Sequence, residues 1–134
     1  MIQKKDVIDV VKYWSEMSDY DFETALAMQE TGRFLYVGFM CHQSVEKILK
    51  AYFSAVKQET PPYIHSLSRL AEKSELLPRM NEEQLEVVDK LEPLNIEARY
   101  PSYKENLMRS LNKNKCDILL TETKALTEWI KQQL

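Results

Sequence analysis

The sequence predicts an all-α protein, in the form of an antiparallel up-and-down bundle of four to five helices. The chain contains only 2 glycines and 5 prolines, a composition that favours long helices over many turns or a sheet. Apolar side chains recur with a helical period over two long segments. Only Thr31-Gly32 separates these segments, and so short a link makes them antiparallel neighbours.

The first long helix is predicted over residues 6–31. At ~100° per residue, its apolar side chains fall on one side of the helix. They are Val7, Val10, Val11, Trp14, Met17, Phe22, Ala25, Leu26 and Met28. Gly32 follows directly, and glycine is the usual residue after a helix C-terminus.

The second long helix is predicted over residues 33–58, and Pro61-Pro62 forbids its continuation. Its main apolar stripe consists of Phe34, Val37, Cys41, Val45, Ile48, Leu49, Tyr52 and Val56. Leu35, Phe39 and Phe53 widen this stripe. A helix that is apolar over much of its circumference is expected at the centre of the bundle.

Two shorter helices should follow. The first is predicted over residues 66–77, where a serine hydroxyl can cap the helix and Pro78 ends it. The second begins at Asn81, because Gln84 three residues later completes a capping-box pattern. It should stop before Pro93.

Residues 94–112 have irregular apolar spacing, and Pro101 holds Tyr100 out of the helical region. We expect a structured crossover here, with room for a short helical turn. The last helix is predicted over residues 114–133, where apolar side chains again recur with helical spacing.

Composition limits the classes of function. A chain of 134 residues has room for one domain, expected to span 1–134. No apolar stretch approaches the ~20 residues that a bilayer requires, and the charged N-terminus is unlike an export signal. Cys41 and Cys116 have no paired spacing, which indicates free thiols in the cytoplasm. The net charge of −3 argues against nucleic-acid binding by bulk attraction, although it leaves a local basic site open.

Asp21 departs from the amphipathic pattern. Projection onto a helical wheel places it between Val10 and Trp14, inside the apolar arc, where an unpaired carboxylate would be costly. The candidate partners are Arg33, His42, Lys47 and Arg99. An internal ion pair that fixes helix register and a role in a ligand site are both open readings.

The second helix carries further polar residues beside its buried stripe. His42, Glu46 and Lys50 follow one another at intervals of four, a spacing that allows a ladder of hydrogen bonds or ion pairs. Lys47, Lys50 and Lys57 are expected on the polar side of the helix. Such a cluster is consistent with a solvated face and, alternatively, with contact to a phosphate.

Two other groups are candidate ligand contacts. Tyr63, His65 and Arg69 surround the start of the third helix, where free N–H groups favour an anion. Arg99 and Tyr100 could add charge and stacking, although an aromatic residue beside proline is often a packing anchor. We predict no metal site or catalytic nucleophile, because no HExxH motif, Cys/His cluster, nucleophile elbow or glycine-rich loop is present.

Four blocks of the sequence resemble the HEPN family, the "higher eukaryotes and prokaryotes nucleotide-binding" domain. They are Tyr13-Trp14 with Asp21 and Ala25, HQSVEKILKA at 42–51, HSL at 65–67, and ARYP at 98–101. The resemblance implies a helical bundle that is usually a homodimer, often encoded beside a minimal nucleotidyltransferase as a toxin–antitoxin-like pair. Nucleotide or RNA binding is the theme of the family, and no cofactor is implied.

Many HEPN members are metal-independent ribonucleases with an arginine followed four to six residues later by a histidine. No arginine here has that spacing, and without the imidazole general acid–base cleavage loses its usual agent. The leading hypothesis is therefore a non-catalytic, dimeric, nucleotide-binding partner of a nucleotidyltransferase. Its candidate contacts are Lys47, Lys50, His65, Arg99 and Tyr100, supported by Asp21, His42 and Glu46. The alternatives are a divergent ribonuclease that uses His42 or His65, and a structural dimerisation module without a ligand.

Overall fold

The computed structural model describes residues 3–96 and 100–134, and it is all-α. These residues form six α-helices: α1 (Lys4–Glu30), α2 (Phe34–Lys57), α3 (Leu67–Lys73), α4 (Glu82–Leu91), α5 (Pro101–Ser110) and α6 (Lys113–Gln132). Short 3-10 turns occur at Leu77–Arg79 and Glu92–Leu94. The part of the chain described contains no strand, so the predicted fold class is confirmed.

The two long helices form the predicted hairpin. The backbone N–H of Thr31 donates to the carbonyl of Ala27, which closes the last turn of α1. Gly32 has a φ of +73°, a conformation that glycine adopts without the steric penalty of a Cβ atom. The reversal at Gly32 therefore sets α1 antiparallel to α2.

Helix α2 lies at the centre, as its wide apolar surface predicts. It packs against α1, α3 and α6, and most of its side chains from Val37 to Ser54 are buried. Helix α6 contributes buried side chains at Cys116, Leu126 and Ile130. Burial of these apolar surfaces is the main source of stability of the bundle.

Two segments differ from the sequence prediction. The third helix ends at Lys73 rather than at residue 77, because Glu75 adopts a φ of +64° and the N–H of Leu76 returns to the carbonyl of Ala71. The expected crossover holds more than a short turn, since Pro101–Ser110 is a ten-residue helix. Tyr100 is extended, as predicted, and proline in the first turn is compatible with the start of a helix.

The capping box of α4 is confirmed. The Asn81 side chain accepts from the backbone N–H of Gln84 at 2.8 Å, and the Gln84 side chain accepts from the N–H of Asn81 at 2.9 Å.

None of the helices in the described ranges is long and apolar enough to cross a membrane.

Candidate functional site

Asp21 is buried in the interface between α1 and α2, and its partner is Lys47. The ammonium group of Lys47 donates to the carboxylate of Asp21 across the two helices. A helical side chain points back towards the N-terminus of its own helix, and this direction takes Lys47 to Asp21. Of the candidate partners that lie within the described residues, the structure pairs Asp21 with the lysine on the neighbouring helix.

A second polar group, which we call the Glu46 cluster, consists of His42, Glu46, Lys50 and His65. The Nζ atom of Lys50 donates to Oε2 of Glu46 at 3.1 Å, one helical turn away. The Nδ1 atom of His65 lies 3.3 Å from each carboxylate oxygen of Glu46. Glu46 thus holds the ammonium of its own helix and the imidazole of the segment that follows α2.

The expectation that Lys50 lies on the polar side of α2 is wrong, because its side chain is buried. Its Nζ atom lies 5.1 Å from the centroid of the Trp14 ring and 6.0 Å from that of Tyr63. The two rings shield the ammonium from water and offer it their negative faces. Helix α1 and the segment after α2 therefore bury a residue that α2 alone would leave partly exposed.

His42 is the innermost member of the cluster and is almost fully buried. Its Nδ1 atom lies 3.1 Å from Oε1 of Gln43 and 3.9 Å from Oε1 of Glu46. Burial lowers the pKa of His42, and this effect outweighs the Gln43 hydrogen bond and the carboxylates of Glu46 and Glu92, which act to raise it; His65 lowers it slightly further. His42 is therefore a neutral internal residue that a ligand at the surface does not touch.

Tyr63 and His65 form the outer side of the cluster. Their ring centroids lie 5.0 Å apart with an interplanar angle of 73°. Tyr63 is 90% exposed, and the His65 side chain is 48% exposed. One imidazole and one phenol are therefore accessible to a ligand above the buried Lys50 and Glu46.

The N-terminus of α3 is already occupied by a carboxylate of the protein itself, that of Glu92. The Ser66 hydroxyl donates to Oε2 of Glu92 at 3.0 Å, and the N–H of Leu67 donates to the other carboxylate oxygen. The N–H of Arg69 donates to Ser66 Oγ. Sequence analysis missed Glu92, because nothing in its local pattern signals that it contacts a helix start 25 residues earlier.

The three lysines of α2 do not form one free basic patch. Lys57 donates to Glu75 at 2.9 Å, and Lys47 and Lys50 are paired with Asp21 and Glu46 as described. Tyr100, the residue before α5, is 83% exposed. No hydrogen bond, ion pair or ring contact within the described part of the chain joins it to the Glu46 cluster. Arg99 lies outside the described residues.

The acidic and imidazole groups do not form a metal centre. Within residues 3–96 and 100–134, no three His, Cys, Asp or Glu side chains are placed to hold a metal ion. His42 and His65 instead approach the same carboxylate. What the arrangement offers is an oriented imidazole, an exposed aromatic ring and a buried, compensated lysine.

The chain belongs to the HEPN family, because the HEPN domain matches residues 11–133, almost its whole length. The match covers every helix described above except the first turns of α1. This result confirms the resemblance carried by the four sequence blocks.

The fold is shared with a solved bacterial protein. The crystal structure of TT1696 from Thermus thermophilus superposes with a TM-score of 0.76 over 92% of this chain and 98% of that one. The sequences are 19% identical, so the similarity is one of fold. No curated protein matches the chain at a significant level.

Proposed function

We propose that this HEPN protein is a non-catalytic, nucleotide-binding subunit that forms a homodimer and acts with a minimal nucleotidyltransferase. The observation that supports nucleotide binding is the outer side of the Glu46 cluster. There an imidazole held by a buried carboxylate and an exposed phenol ring lie beside a buried ammonium. Family membership supports the rest of the proposal.

His65 and Tyr63 are the first contacts in this proposal. The exposed Tyr63 ring offers a stacking face, and the carboxylate of Glu46 fixes the His65 ring in orientation. Lys50 and Lys47 act from beneath the surface, where Glu46 and Asp21 balance their charge. The proposed contact set also includes Arg99, which lies outside the described residues, and the exposed Tyr100, the residue before α5.

The test is a titration of the purified protein with AMP and ATP by calorimetry. His65→Ala and Arg99→Ala should each weaken the affinity by about five-fold or more, the loss expected for one good polar contact. Lys12→Ala is the control, because Lys12 is an exposed residue of α1 whose ion pair with Glu16 lies within the same helix. Affinity that is unchanged in both site variants contradicts the proposed contacts.

Lys47→Ala should also weaken binding, but it leaves the buried Asp21 carboxylate without its partner. We therefore pair it with Asp21→Asn, which removes the unmatched charge. If no nucleotide binds and none raises the melting temperature, the protein is better described as a structural dimerisation module, since a ligand of the native state must stabilise it.

The dimer and the partner are tested separately. Light scattering after gel filtration should give twice the mass of the 15.8 kDa chain. The neighbouring reading frame should encode a small nucleotidyltransferase that co-purifies with this protein. The proposal places both in the cytoplasm, because the two cysteines are free and buried, as is usual for proteins of a reducing compartment.

A divergent metal-independent ribonuclease is the second candidate, and one observation favours it. A carboxylate that orients an accessible imidazole is a common arrangement for general acid–base catalysis, and Glu46 and His65 have it. His42 is too deeply buried to contact RNA. If the purified protein cleaves RNA in the presence of a chelator and His65→Ala abolishes this cleavage, this candidate is supported. RNA that stays intact after prolonged incubation with the protein would exclude it.

A further inference from the structure

A shallow, open apolar depression of about 370 Å³, which we call the slot, lies beside the Glu46 cluster, because Trp14 lines it and also contacts Lys50. It is lined by Asp9, Val10, Tyr13, Trp14, Thr60 and Pro61. Two elements therefore form it, the first half of α1 and the segment after α2 that also carries Tyr63 and His65. Its volume is in the range of small-molecule sites and is ample for one heteroaromatic ring system.

Tyr13 and Trp14 form an aromatic corner in this slot. Their ring centroids lie 5.1 Å apart and their planes meet at 82°. A flat ring that stacks on one of them directs its own edge at the face of the other, which is a favourable geometry for aromatic groups. Trp14 is also the ring that covers the ammonium of Lys50, so slot and cluster share a wall.

The charges around the slot disfavour a polyphosphate. Lys47 and Lys50 are each matched by a carboxylate. Asp9 lines the slot itself, and Glu92 adds another carboxylate on the far side of the cluster. These four carboxylates, of Asp9, Asp21, Glu46 and Glu92, outnumber the two lysines. The lining of the slot is mostly apolar.

We infer that the slot binds the base of a nucleoside, so that the ligand is recognised by its ring and not by its phosphates. This inference rests on the proposed nucleotide-binding function and identifies the part of the ligand that the protein recognises. Stacking on an apolar corner discriminates little between bases. Because few phosphate charges are neutralised, binding should also depend only weakly on salt.

The experiment is a fluorescence titration of Trp14 in a Trp129→Phe background, in which Trp14 is the only tryptophan. Adenosine, AMP and ATP are added at 50 and 300 mM NaCl. Adenosine should alter the emission of Trp14 and bind with a Kd within about three-fold of that of ATP. Each Kd should change less than about three-fold between the two salt concentrations, as expected for a neutral stacked ligand.

Tyr13→Ala should weaken adenosine binding by about five-fold or more, because it removes one ring of the corner. Tyr20→Ala is the matched control, since Tyr20 is a similarly exposed tyrosine of α1 that does not line the slot. It should leave the Kd unchanged.

Four outcomes overturn the inference. Binding of ATP without binding of adenosine, or ATP binding that falls steeply with salt, points to phosphate recognition and leaves the proposed function standing. Adenosine binding that Tyr13→Ala does not affect places the base elsewhere. Failure of every nucleoside and nucleotide to bind rejects the proposed function as well.

Discussion

Glu46→Gln tests whether the ion pair between Glu46 and Lys50 is as deeply buried as the structure indicates. The substitution keeps the size of the side chain and removes its charge. The Glu46 and Lys50 side chains are only 3% and 5% exposed, so the ammonium of Lys50 would remain buried without a counter-charge. At the observed 3.1 Å, two unit charges interact with about 5 kcal/mol at an effective dielectric constant of ~20.

The measured loss should be smaller than this gross figure, because the amide oxygen of glutamine still accepts a hydrogen bond and the faces of Trp14 and Tyr63 remain near the ammonium. We expect a loss of about 3 kcal/mol in the free energy of unfolding, as is typical when one partner of a buried pair is removed. In a chain of this size, that loss lowers Tm by about 10 °C. Urea denaturation followed by circular dichroism measures it.

Glu16→Gln is the matched control, because Lys12 and Glu16 have the same spacing of four residues on a helix. Their side chains are 72% and 66% exposed, and an exposed pair of this kind contributes less than ~0.5 kcal/mol. Equal losses in Glu46→Gln and Glu16→Gln would refute the reasoning. Adding Lys50→Met to Glu46→Gln should restore part of the stability, since it removes the buried ammonium that Glu46→Gln leaves without a counter-charge.

Three further predictions concern residues outside the exposed part of the site. Burial lowers the pKa of His42 from its ordinary 6.5, so as the pH falls the unfolded chain takes up a proton there before the native chain does, and stability should fall as the pH drops below about 6.5. His42→Asn should reduce the pH dependence of the urea midpoint between pH 7.5 and 5.5, and an unchanged pH dependence would exclude His42 as its cause. Burial raises the pKa of Cys41 to about 12 and that of Cys116 to about 11, so a thiol reagent at pH 8 should label both slowly in the native state and rapidly in urea; rapid labelling of the native protein would contradict their burial. Asn81→Ala should cost about 1 kcal/mol because it removes the cap of α4, whereas an unchanged urea midpoint would mean that water replaces the cap fully.

The sequence by itself determined the helical framework. Helical periodicity, the turn at Gly32 and the capping pattern at Asn81 are local features, since each depends on residues within about four positions of one another. They predicted the ends of α1, α2 and α6 to within two residues. The unusual position of Asp21 was also visible, because a carboxylate within an apolar arc can be recognised from one helix alone.

Only the tertiary structure decided how the polar residues are partnered. Lys47 reaches Asp21 across 26 positions, His65 reaches Glu46 across 19, and Glu92 reaches the start of α3 across 25. Such partners meet because helices pack side by side, and the packing of one helix on another is not encoded in the periodicity of either. Lys50 illustrates this, since Trp14 and Tyr63 bury a lysine that the pattern of α2 assigns to solvent.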